Sequence, residues 1–268
     1  MGAIQLRNVT FAYPNGFVAN ENLNLVINSG ERVAIIGQNG AGKTTAVKLM
    51  NALYKPTHGD VFVNGVNTKE KTTAQIAAYV GYIFQNPDDQ IFNKDVITEI
   101  EYMPRYYKLP EKEIKRRVER AVSLTGIGSY LKQNPFDIPY SIRKFVSIAA
   151  VLVTETEYII LDEPTAGQDL RGIQILSNMI NVLESEGKSV ITITHDMDFV
   201  AENFNRVVVM ANKRIIADGG IRDIFWNEEI ISKSKIKKPQ IGELAKDLAF
   251  NGSILFRHEL MEELKGKI

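Results

Sequence analysis

The chain has 268 residues, with 32 Lys and Arg against 32 Asp and Glu, and it contains no cysteine. The balanced charge gives no reason to expect a nucleic-acid or anionic-lipid partner. The lack of cysteine excludes disulfides, thiolate zinc sites and cysteine nucleophiles, and it fits a reducing cytoplasm. No run approaches the roughly 18 apolar residues that cross a bilayer, so we expect a soluble protein that reaches a membrane only through a partner.

Short β-rich runs recur along the chain, and most are bounded by Gly, Asn, Asp or Pro. Several are apolar on both faces, which is typical of a buried, partly parallel sheet between helices. In chain order the runs are LRNVTFAY, LNLVI, RVAIIG, DVFVNG, YVGYIF, EYIILDE, SVITITH, RVVVM and KRIIADG.

The spacing of apolar residues changes between about residues 88 and 155, where helical periodicity replaces the pattern typical of strands. The run EKEIKRRVERAVSLTG follows Pro110 and has Ile114, Val118 and Ala121 at helical spacing, which predicts an amphipathic helix. A charged, mostly helical tail follows residue 219. We therefore predict a helical insert between sheet strands and a separate C-terminal element.

The strongest chemical signal is GQNGAGKTT, which follows the apolar strand RVAII and precedes a helical run. It matches G-x-x-x-x-G-K-T in the strand–loop–helix context that a phosphate-binding loop requires. Glycines let backbone amides wrap the phosphates, the lysine reaches the terminal phosphates, and the following threonine is placed to ligate Mg²⁺. The predicted nucleotide-binding residues are Gly37, Gln38, Asn39, Gly40, Ala41, Gly42, Lys43, Thr44 and Thr45.

The run YIILDE is an apolar strand that ends in two carboxylates. We expect Asp162 to hold Mg²⁺ and the adjacent Glu163, which points the other way along a strand, to polarise an attacking water. A strand ending in DE is more often a solvated strand end, but a phosphate-binding loop in the same chain favours function.

Three further residues are candidates for the same site. His195 ends the buried run SVITITH, where it can bond a γ-phosphate or hold the attacking water. Gln85 follows YVGYIF and offers a neutral amide to Mg²⁺ or water. Tyr13 lies early in the chain, where its ring can either stack on adenine or pack on the sheet.

Together the motifs TFAYP, GQNGAGKTT, IFQNPDDQIF, YIILDEPTAGQD and ITH, in this order, resemble the nucleotide-binding subunits of ATP-binding cassette (ABC) transporters over about residues 3 to 218. QNPDDQIF, with Gln90 after Gln85, is similar to the ATPases of energy-coupling factor (ECF) importers of vitamins and metal ions.

The resemblance implies an α/β chain with the P-loop NTPase fold of ABC ATPases. It divides the chain into a RecA-like core with an antiparallel β subdomain (1–87 and 156–218), a helical subdomain (88–155) and a small C-terminal helical extension (219–268). It also implies ATP and Mg²⁺ as ligands and a peripheral place on the cytoplasmic face of the cell membrane. The implied partners are a second ABC ATPase subunit, in a favoured heterodimer or a homodimer, an integral membrane coupling subunit and a substrate-binding membrane subunit.

One segment departs from the family pattern. In ABC ATPases a helix begins with Leu-Ser-Gly-Gly-Gln and reaches across a dimer to the γ-phosphate held by the other subunit. Aligning FVSIAAVL with the family's Arg-Val-Ala-Ile-Ala run puts IPYSI, residues 138–142, in those places, and all five residues differ. Tyr140 removes the close backbone approach of a glycine, and we expect the helix-capping serine at Ser141. The altered segment predicts a specialised half of an asymmetric ATPase pair.

Other functions fit less of the sequence. A nucleotide-gated subunit that hydrolyses weakly would suit the altered segment, but Glu163 and His195 argue against it for this chain's own phosphate loop. A soluble ABC-type factor acting on ribosomes or DNA would usually carry two cassettes or a long coiled coil. A small-molecule kinase would have no use for TAGQD and the helical insert.

Overall fold

A computed structural model describes residues 2–250 and 254–265. The predicted C-terminal extension includes residues 251–253 and 266–268, which lie outside the described residues. The strands are β1 (Ala3–Ala12), β2 (Val18–Asn28), β3 (Arg32–Ile36), β4 (His58–Val63), β5 (Val66–Asn67), β6 (Val80–Ile83), β7 (Tyr158–Asp162), β8 (Ser189–Ile193), β9 (Arg206–Ala211) and β10 (Arg214–Gly220).

The helices alternate with the strands except in the middle and at the end of the chain. They are α1 (Lys43–Met50), α2 (Thr73–Ile76), α3 (Val96–Tyr106), α4 (Glu111–Thr125), α5 (Tyr140–Leu152), α6 (Leu170–Ser185), α7 (Met197–Asn203), α8 (Ile221–Phe225), α9 (Glu228–Ser234), α10 (Gln240–Asp247) and α11 (Arg257–Lys265). No helix among the described residues is long and apolar enough to span a membrane.

Two sheets form the α/β framework. A four-stranded antiparallel sheet has the order β2-β1-β4-β5, and a six-stranded sheet has the order β10-β9-β3-β8-β7-β6. In the six-stranded sheet β9, β3, β8, β7 and β6 run parallel, and β10 is antiparallel to β9. The carboxyl ends of β3, β6, β7 and β8 therefore meet at one edge, where open α/β sheets bind ligands.

The core has two main layers. Apolar residues of the antiparallel sheet, such as Leu23, pack with Ile35 of the central sheet and Val47 of α1. On the opposite face of the central sheet, Leu161 belongs to a cluster that includes Phe145 of α5. Because both faces of the central sheet are covered, its strands are apolar on both sides, as the sequence predicted.

The middle of the chain contains the predicted amphipathic helix. Helix α4 begins after Pro110 and ends where Gly126 adopts a left-handed φ of 69°. Ile114, Val118 and Ala121 are buried against the neighbouring helices and the central sheet. The spacing of apolar residues thus predicted both the helix and its buried face.

The prediction that Ser141 caps α5 is wrong. The helix begins at Tyr140, its N-cap is Pro139, and no side chain caps it. Proline fixes φ near −65° and fits a helix start because it lacks an N–H to satisfy. Ser141 therefore lies inside the first turn, where its carbonyl oxygen accepts from Nε2 of Gln168 at 3.1 Å.

The C-terminal helices form a small apolar cluster of their own that includes Ala245, Phe250 and Leu260, and Leu255 joins the main core. The buried amine of Lys238 lies 4.5 Å from the ring centroid of Trp226 and pairs with Glu228. These contacts hold the segments of the extension to one another, and the ion pair ties Lys238 back to the start of α9.

Candidate nucleotide-binding site

The loop between β3 and α1 needs glycine at two positions. Gly37 has φ of 147°, and a Cβ there would lie 2.1 Å from the carbonyl oxygen of Met210. Gly42 has φ of 99°, and a Cβ there would lie 2.4 Å from Nδ2 of Asn20. That Nδ2 donates to the Gly42 carbonyl oxygen at 3.1 Å. Close backbone packing on β2 and β9 therefore fixes the shape of the phosphate loop.

Lys43 lies inside this loop. Its Nζ donates to the carbonyl oxygens of Gly37 at 2.7 Å and Gln38 at 3.1 Å, and it lies 3.5 Å from Nε2 of His195. Burial lowers the pKa of Lys43, while the carboxylates of Asp162 and Glu163 act to raise it. The cation therefore already lies between the loop and the ends of β7 and β8, where a terminal phosphate would bring negative charge.

Asp162 ends β7 and is buried. Tyr82 on the neighbouring strand β6 donates its hydroxyl to Oδ2 at 2.7 Å, whereas Oδ1 has no hydrogen-bond partner among the described residues. Burial raises the pKa of this carboxyl, and the hydroxyls of Tyr82 and Thr44 act to lower it. A buried carboxylate oxygen without a partner is costly unless a cation or a donor satisfies it.

The donor set fits a magnesium ion that is shared with phosphates. Among the described residues no cluster of three or more His, Cys, Asp or Glu could hold a metal without other ligands. Mg²⁺ is usually held by one or two protein oxygens together with phosphate oxygens and water. The free Oδ1 of Asp162, with the Thr44 hydroxyl near the same carboxylate, matches that requirement.

Glu163 and His195 contact each other directly. The His195 amide donates to Oε2 of Glu163 at 3.3 Å, and the ring Nε2 of His195 lies 3.3 Å from Oε1. Burial raises the pKa of Glu163, with the His195 amide acting against this, and burial and then Lys43 lower the pKa of His195. A carboxylate of raised pKa beside an imidazole of lowered pKa suits proton abstraction from water.

The remaining candidates line the same cleft, which has a volume of about 540 Å³. Gln85 is exposed at its wall, and Tyr13 lies at the other end, where its hydroxyl is 3.2 Å from Oγ1 of Thr45. Gly37 and Gln38 do not line the cleft, and they support it through their carbonyl bonds to Lys43. The predicted residues that line it are Tyr13, Asn39, Gly40, Ala41, Gly42, Lys43, Thr44, Thr45, Gln85, Asp162, Glu163 and His195.

Several residues around the cleft were not predicted. Tyr82 bonds Asp162, Asn20 bonds the phosphate loop, and the exposed ring of Phe17 lines the cleft near Tyr13. Gln90 accepts from the amide of Phe84 at 3.1 Å and so braces the turn that contains Gln85. Two of these residues had a signal in the sequence: Phe17 is an aromatic residue close to TFAYP, and Gln90 belongs to the QNPDDQIF motif.

Residues 138–142 lie against the loop that follows β7. The Tyr140 ring lies over Gly167, where a Cβ would be 3.5 Å from its Cδ1, and Ser141 is bonded by Gln168. Arg143 donates to the carbonyl oxygens of Pro135 and Ile138 at 2.9 and 3.2 Å. The altered segment is therefore a well-braced helix start rather than a loosely held one.

The fold and the cleft define a P-loop nucleotide hydrolase. Known proteins agree: the sequence profile of the ABC transporter family matches residues 20–166. A putative ABC transporter ATP-binding protein of Pyrococcus furiosus is 38% identical over 245 residues, which cover 91% of this chain and 93% of that protein. The chain belongs to the ABC transporter family and is one of its ATP-binding subunits, an ATPase.

Two further similarities point to one branch of the family. The energy-coupling factor transporter ATP-binding protein EcfA of Methanoculleus marisnigri is 35% identical over 253 residues, covering 94% of this chain and 91% of that protein. The structure of cbiO1 from Clostridium perfringens, described as part of the ABC transporter complex cbiONQ, matches with a TM-score of 0.77 and 32% identity. That match covers 91% of this chain and 98% of cbiO1.

Proposed function

We propose that this chain is the ATP-hydrolysing subunit of a membrane importer of the ECF type, with a vitamin or a metal ion as cargo. It would act as one half of an asymmetric ATPase dimer, peripheral on the cytoplasmic face of the cell membrane. The observation that carries the proposal is the meeting of Lys43, the free Oδ1 of Asp162, and the Glu163–His195 pair in one cleft.

Each residue has a separate task in this proposal. Lys43 and the loop amides bind the terminal phosphates, and Tyr13 stacks on the adenine. Thr44, Asp162 and Gln85 would hold Mg²⁺, which would supply positive charge beside the phosphates. Glu163 takes a proton from the attacking water, and His195 orients that water and the γ-phosphate.

Each predicted region of the chain has its own role in this proposal. Residues 1–87 and 156–218 bind and hydrolyse ATP, and residues 88–155 carry the segment that faces the second ATPase subunit. The extension, 219–268, would add contacts of its own. A coupling subunit and a substrate-binding subunit in the membrane would complete the importer.

An apolar groove supports docking of the membrane coupling subunit. It lies between the central sheet and α3, with a volume of about 280 Å³, and its lining includes Leu53, Phe84, Phe92, Tyr102 and Met103. Phe92 is 63% exposed and packs edge-on against Tyr102 at 4.8 Å. A helix that inserts an apolar face there would cover these rings and would lie next to the turn that carries Gln85.

Residues 138–142 support the asymmetry of the dimer. Pro139 has no amide hydrogen, and Tyr140 stands where a glycine would let the backbone approach a phosphate. The segment would therefore serve the partner's ATP poorly, while this chain's own cleft is complete. A weakly hydrolysing regulatory subunit is the second candidate, and the altered segment favours it. The complete Glu163–His195 pair favours hydrolysis.

The test is to co-express the chain with its membrane complex and to weigh the intact assembly by native mass spectrometry. We expect one copy of this chain, one different ATPase subunit and the membrane subunits, with ATP hydrolysis that depends on Mg²⁺. Two copies of this chain would contradict the asymmetric pair. An assembly without membrane subunits would contradict the role in transport.

A further inference from the structure

Lys144 is a buried lysine on the helix that carries the altered segment. It lies in the first turns of α5, and the residue is only 1% exposed. Its Nζ donates to the carbonyl oxygen of Glu163 at 2.7 Å and to that of Ala166 at 3.1 Å. The ammonium group thus joins α5 to both ends of the turn that begins at Glu163.

The backbone at that turn needs support. Glu163 has a left-handed φ of 49°, a conformation that costs free energy for a residue with a side chain. The Glu163 amide is held by the carbonyl of Ile193 at 2.8 Å, and the Ala166 amide donates to the Glu163 carbonyl at 3.3 Å. Charge-assisted bonds from Lys144 to two carbonyl oxygens are stronger than these neutral ones.

A buried ammonium is an expensive way to hold a turn unless its position matters. Burial lowers the pKa of Lys144, and the carboxylates of Glu163 and Asp162 oppose that effect. An apolar side chain of the same length would fill the space without the cost of desolvation. Because an apolar residue would pack as well at lower cost, we infer that the cation is there to hold the backbone of the turn.

We propose that Lys144 is a positioning residue for hydrolysis at this chain's own phosphate loop: it fixes the Glu163–Ala166 turn and so aims the Glu163 carboxylate. This inference rests on the proposed role of Glu163 as the base. It assigns α5 a task within its own subunit, in addition to the contact that residues 138–142 are proposed to make across the dimer. The side chain of Lys144 therefore connects the helix of the altered segment to the cleft that contains Glu163.

The first experiment compares the full chain with its Lys144→Met variant, which keeps the apolar stem and removes the donor. Single-turnover hydrolysis is measured with protein in excess over ATP, and the ATP dissociation constant is measured by equilibrium binding. We expect the hydrolysis rate to fall about 10- to 100-fold, since small misplacements of a catalytic group cost rates of that order. ATP affinity should be unchanged.

Ser147→Ala is the matched control. Ser147 is buried on the same helix, and its Oγ bonds only the carbonyl of Lys144 at 2.8 Å among the described hydrogen bonds. It has no described hydrogen bond to the turn, so the hydrolysis rate of Ser147→Ala should match that of the wild type. Equal slowing in both variants would overturn the proposal, because it would mean that any change in the interior of α5 impairs the site.

Hydrogen exchange gives a readout that does not depend on activity. Peptides covering residues 163–169 should exchange faster in Lys144→Met, while those covering β8 should not change. Unchanged exchange in the turn, or an unchanged hydrolysis rate, would refute the positioning role. No hydrolysis by the wild-type chain even within its complete membrane complex would contradict the proposed function instead.

A second variant is needed in case Lys144→Met fails to fold. Lys144→Gln keeps a polar tip, but its side chain is one atom shorter and does not reach both carbonyl oxygens, so the same slowing is expected. Failure of both variants to fold would show that Lys144 supports the whole subunit and would overturn a role confined to the site.

Discussion

Arg143 donates from Nη1 to Oδ1 of Asp88 at 2.7 Å. Arg143 belongs to α5, and Asp88 belongs to the turn between Phe84 and Gln90, both of which line the apolar groove. The ion pair therefore links the groove proposed for the membrane subunit to the segment proposed to face the second ATPase subunit. We expect this contact to couple movements of the two surfaces.

Charge reversal at Asp88 tests that link. We expect Asp88→Lys to impair transport or assembly of the complete importer, because it puts two cations together, while the ATP affinity of the isolated chain stays unchanged. The partly exposed pair itself contributes only about 0.2–1 kcal/mol, so the isolated chain should stay folded. Transport assays on reconstituted complexes and equilibrium ATP binding measure the two effects.

Asp89→Lys is the matched control. Asp89 is exposed in the same turn, and the only described hydrogen bond of its side chain is the one from Nδ2 of Asn86 at 3.4 Å, so this variant tests a change of charge alone. If the two single reversals are equally harmful, the Arg143–Asp88 link is not the cause.

Substitutions at Lys43 and Glu163 should affect ATP binding and ATP hydrolysis differently. We expect Lys43→Ala to weaken ATP binding, because it removes the cation inside the phosphate loop. Glu163→Gln should keep binding and stop hydrolysis, since only the carboxylate takes a proton from water. Equilibrium binding and steady-state hydrolysis are the measurements. An equal loss of nucleotide affinity in both variants would contradict these roles.

Local motifs explain why much of the site could be predicted. The phosphate loop, Asp162 and His195 follow buried strands, and parallel strands bring their carboxyl ends to one edge. The motifs therefore implied the meeting of these residues without any knowledge of the sheet order. The predicted α/β fold and the family were confirmed for the same reason.

The unpredicted contacts depend on sheet order and helix rotation. Tyr82 bonds Asp162 because β6 lies beside β7, with Tyr82 opposite Ile160, and nothing in YVGYIF specifies that neighbour. Lys144 stands at a buried position of α5, where helical periodicity predicts an apolar residue. Such long-range polar contacts leave no periodic signal in a single sequence.

The bond from Tyr82 to Asp162 should matter for both stability and hydrolysis. Tyr82→Phe leaves Oδ2 of Asp162 buried without its donor, and we expect a loss of about 1–3 kcal/mol in the free energy of unfolding. Hydrolysis should also fall, because the free carboxylate can rotate away from the Mg²⁺ position. Denaturant unfolding and steady-state hydrolysis would measure these effects.

Tyr158→Phe is the matched control for that substitution. Tyr158 lies on the adjacent strand, and its buried hydroxyl donates to Oδ1 of Asn64 at 2.8 Å, away from the cleft. A similar loss of stability with normal hydrolysis is expected. Normal hydrolysis in Tyr82→Phe as well would mean that the Tyr82 hydroxyl does not position Asp162.

Acid stability should depend on a cluster of charges on α4. Hydrogen bonds from Arg116 and Arg117 lower the pKa of Glu113 from 4.5 to about 2. A carboxyl whose pKa is lower in the folded state stabilises the protein above its unfolded pKa, and that contribution disappears as pH falls through the folded pKa. The contribution of Glu113 should therefore be complete above pH 4.5 and lost by about pH 2.

Unfolding curves recorded across that range test the effect. We expect Glu113→Gln to be less stable than the wild type above pH 4.5 and to approach it at about pH 2. Glu119→Gln on the same helix is the control. Oε1 of Glu119 lies 3.9 Å from Nζ of Lys115, and this pair is more exposed than the pairs of Glu113. A constant difference between Glu113→Gln and the wild type at every pH would refute the assignment.

The last prediction concerns residues 138–142, which would act on the ATP bound across the dimer. A homodimer of this chain would have two impaired sites, so we expect the isolated chain to bind ATP and hydrolyse it slowly. In a heterodimer, a sibling with an intact glycine-bearing segment would complete the site that contains Lys43 and Glu163. The other site would combine the sibling's phosphate loop with Pro139 and Tyr140.

The two sites should differ greatly in rate. Losing one backbone donor to the γ-phosphate in a dry, preorganised site costs about 3 kcal/mol, which is roughly a hundredfold in rate. The test is steady-state hydrolysis by the heterodimer with Glu163→Gln in this chain, compared with the equivalent glutamate change in the sibling. We expect the first change to abolish most turnover and the second to leave most of it. The reverse pattern would exchange the active and the impaired site and would contradict the role proposed for residues 138–142.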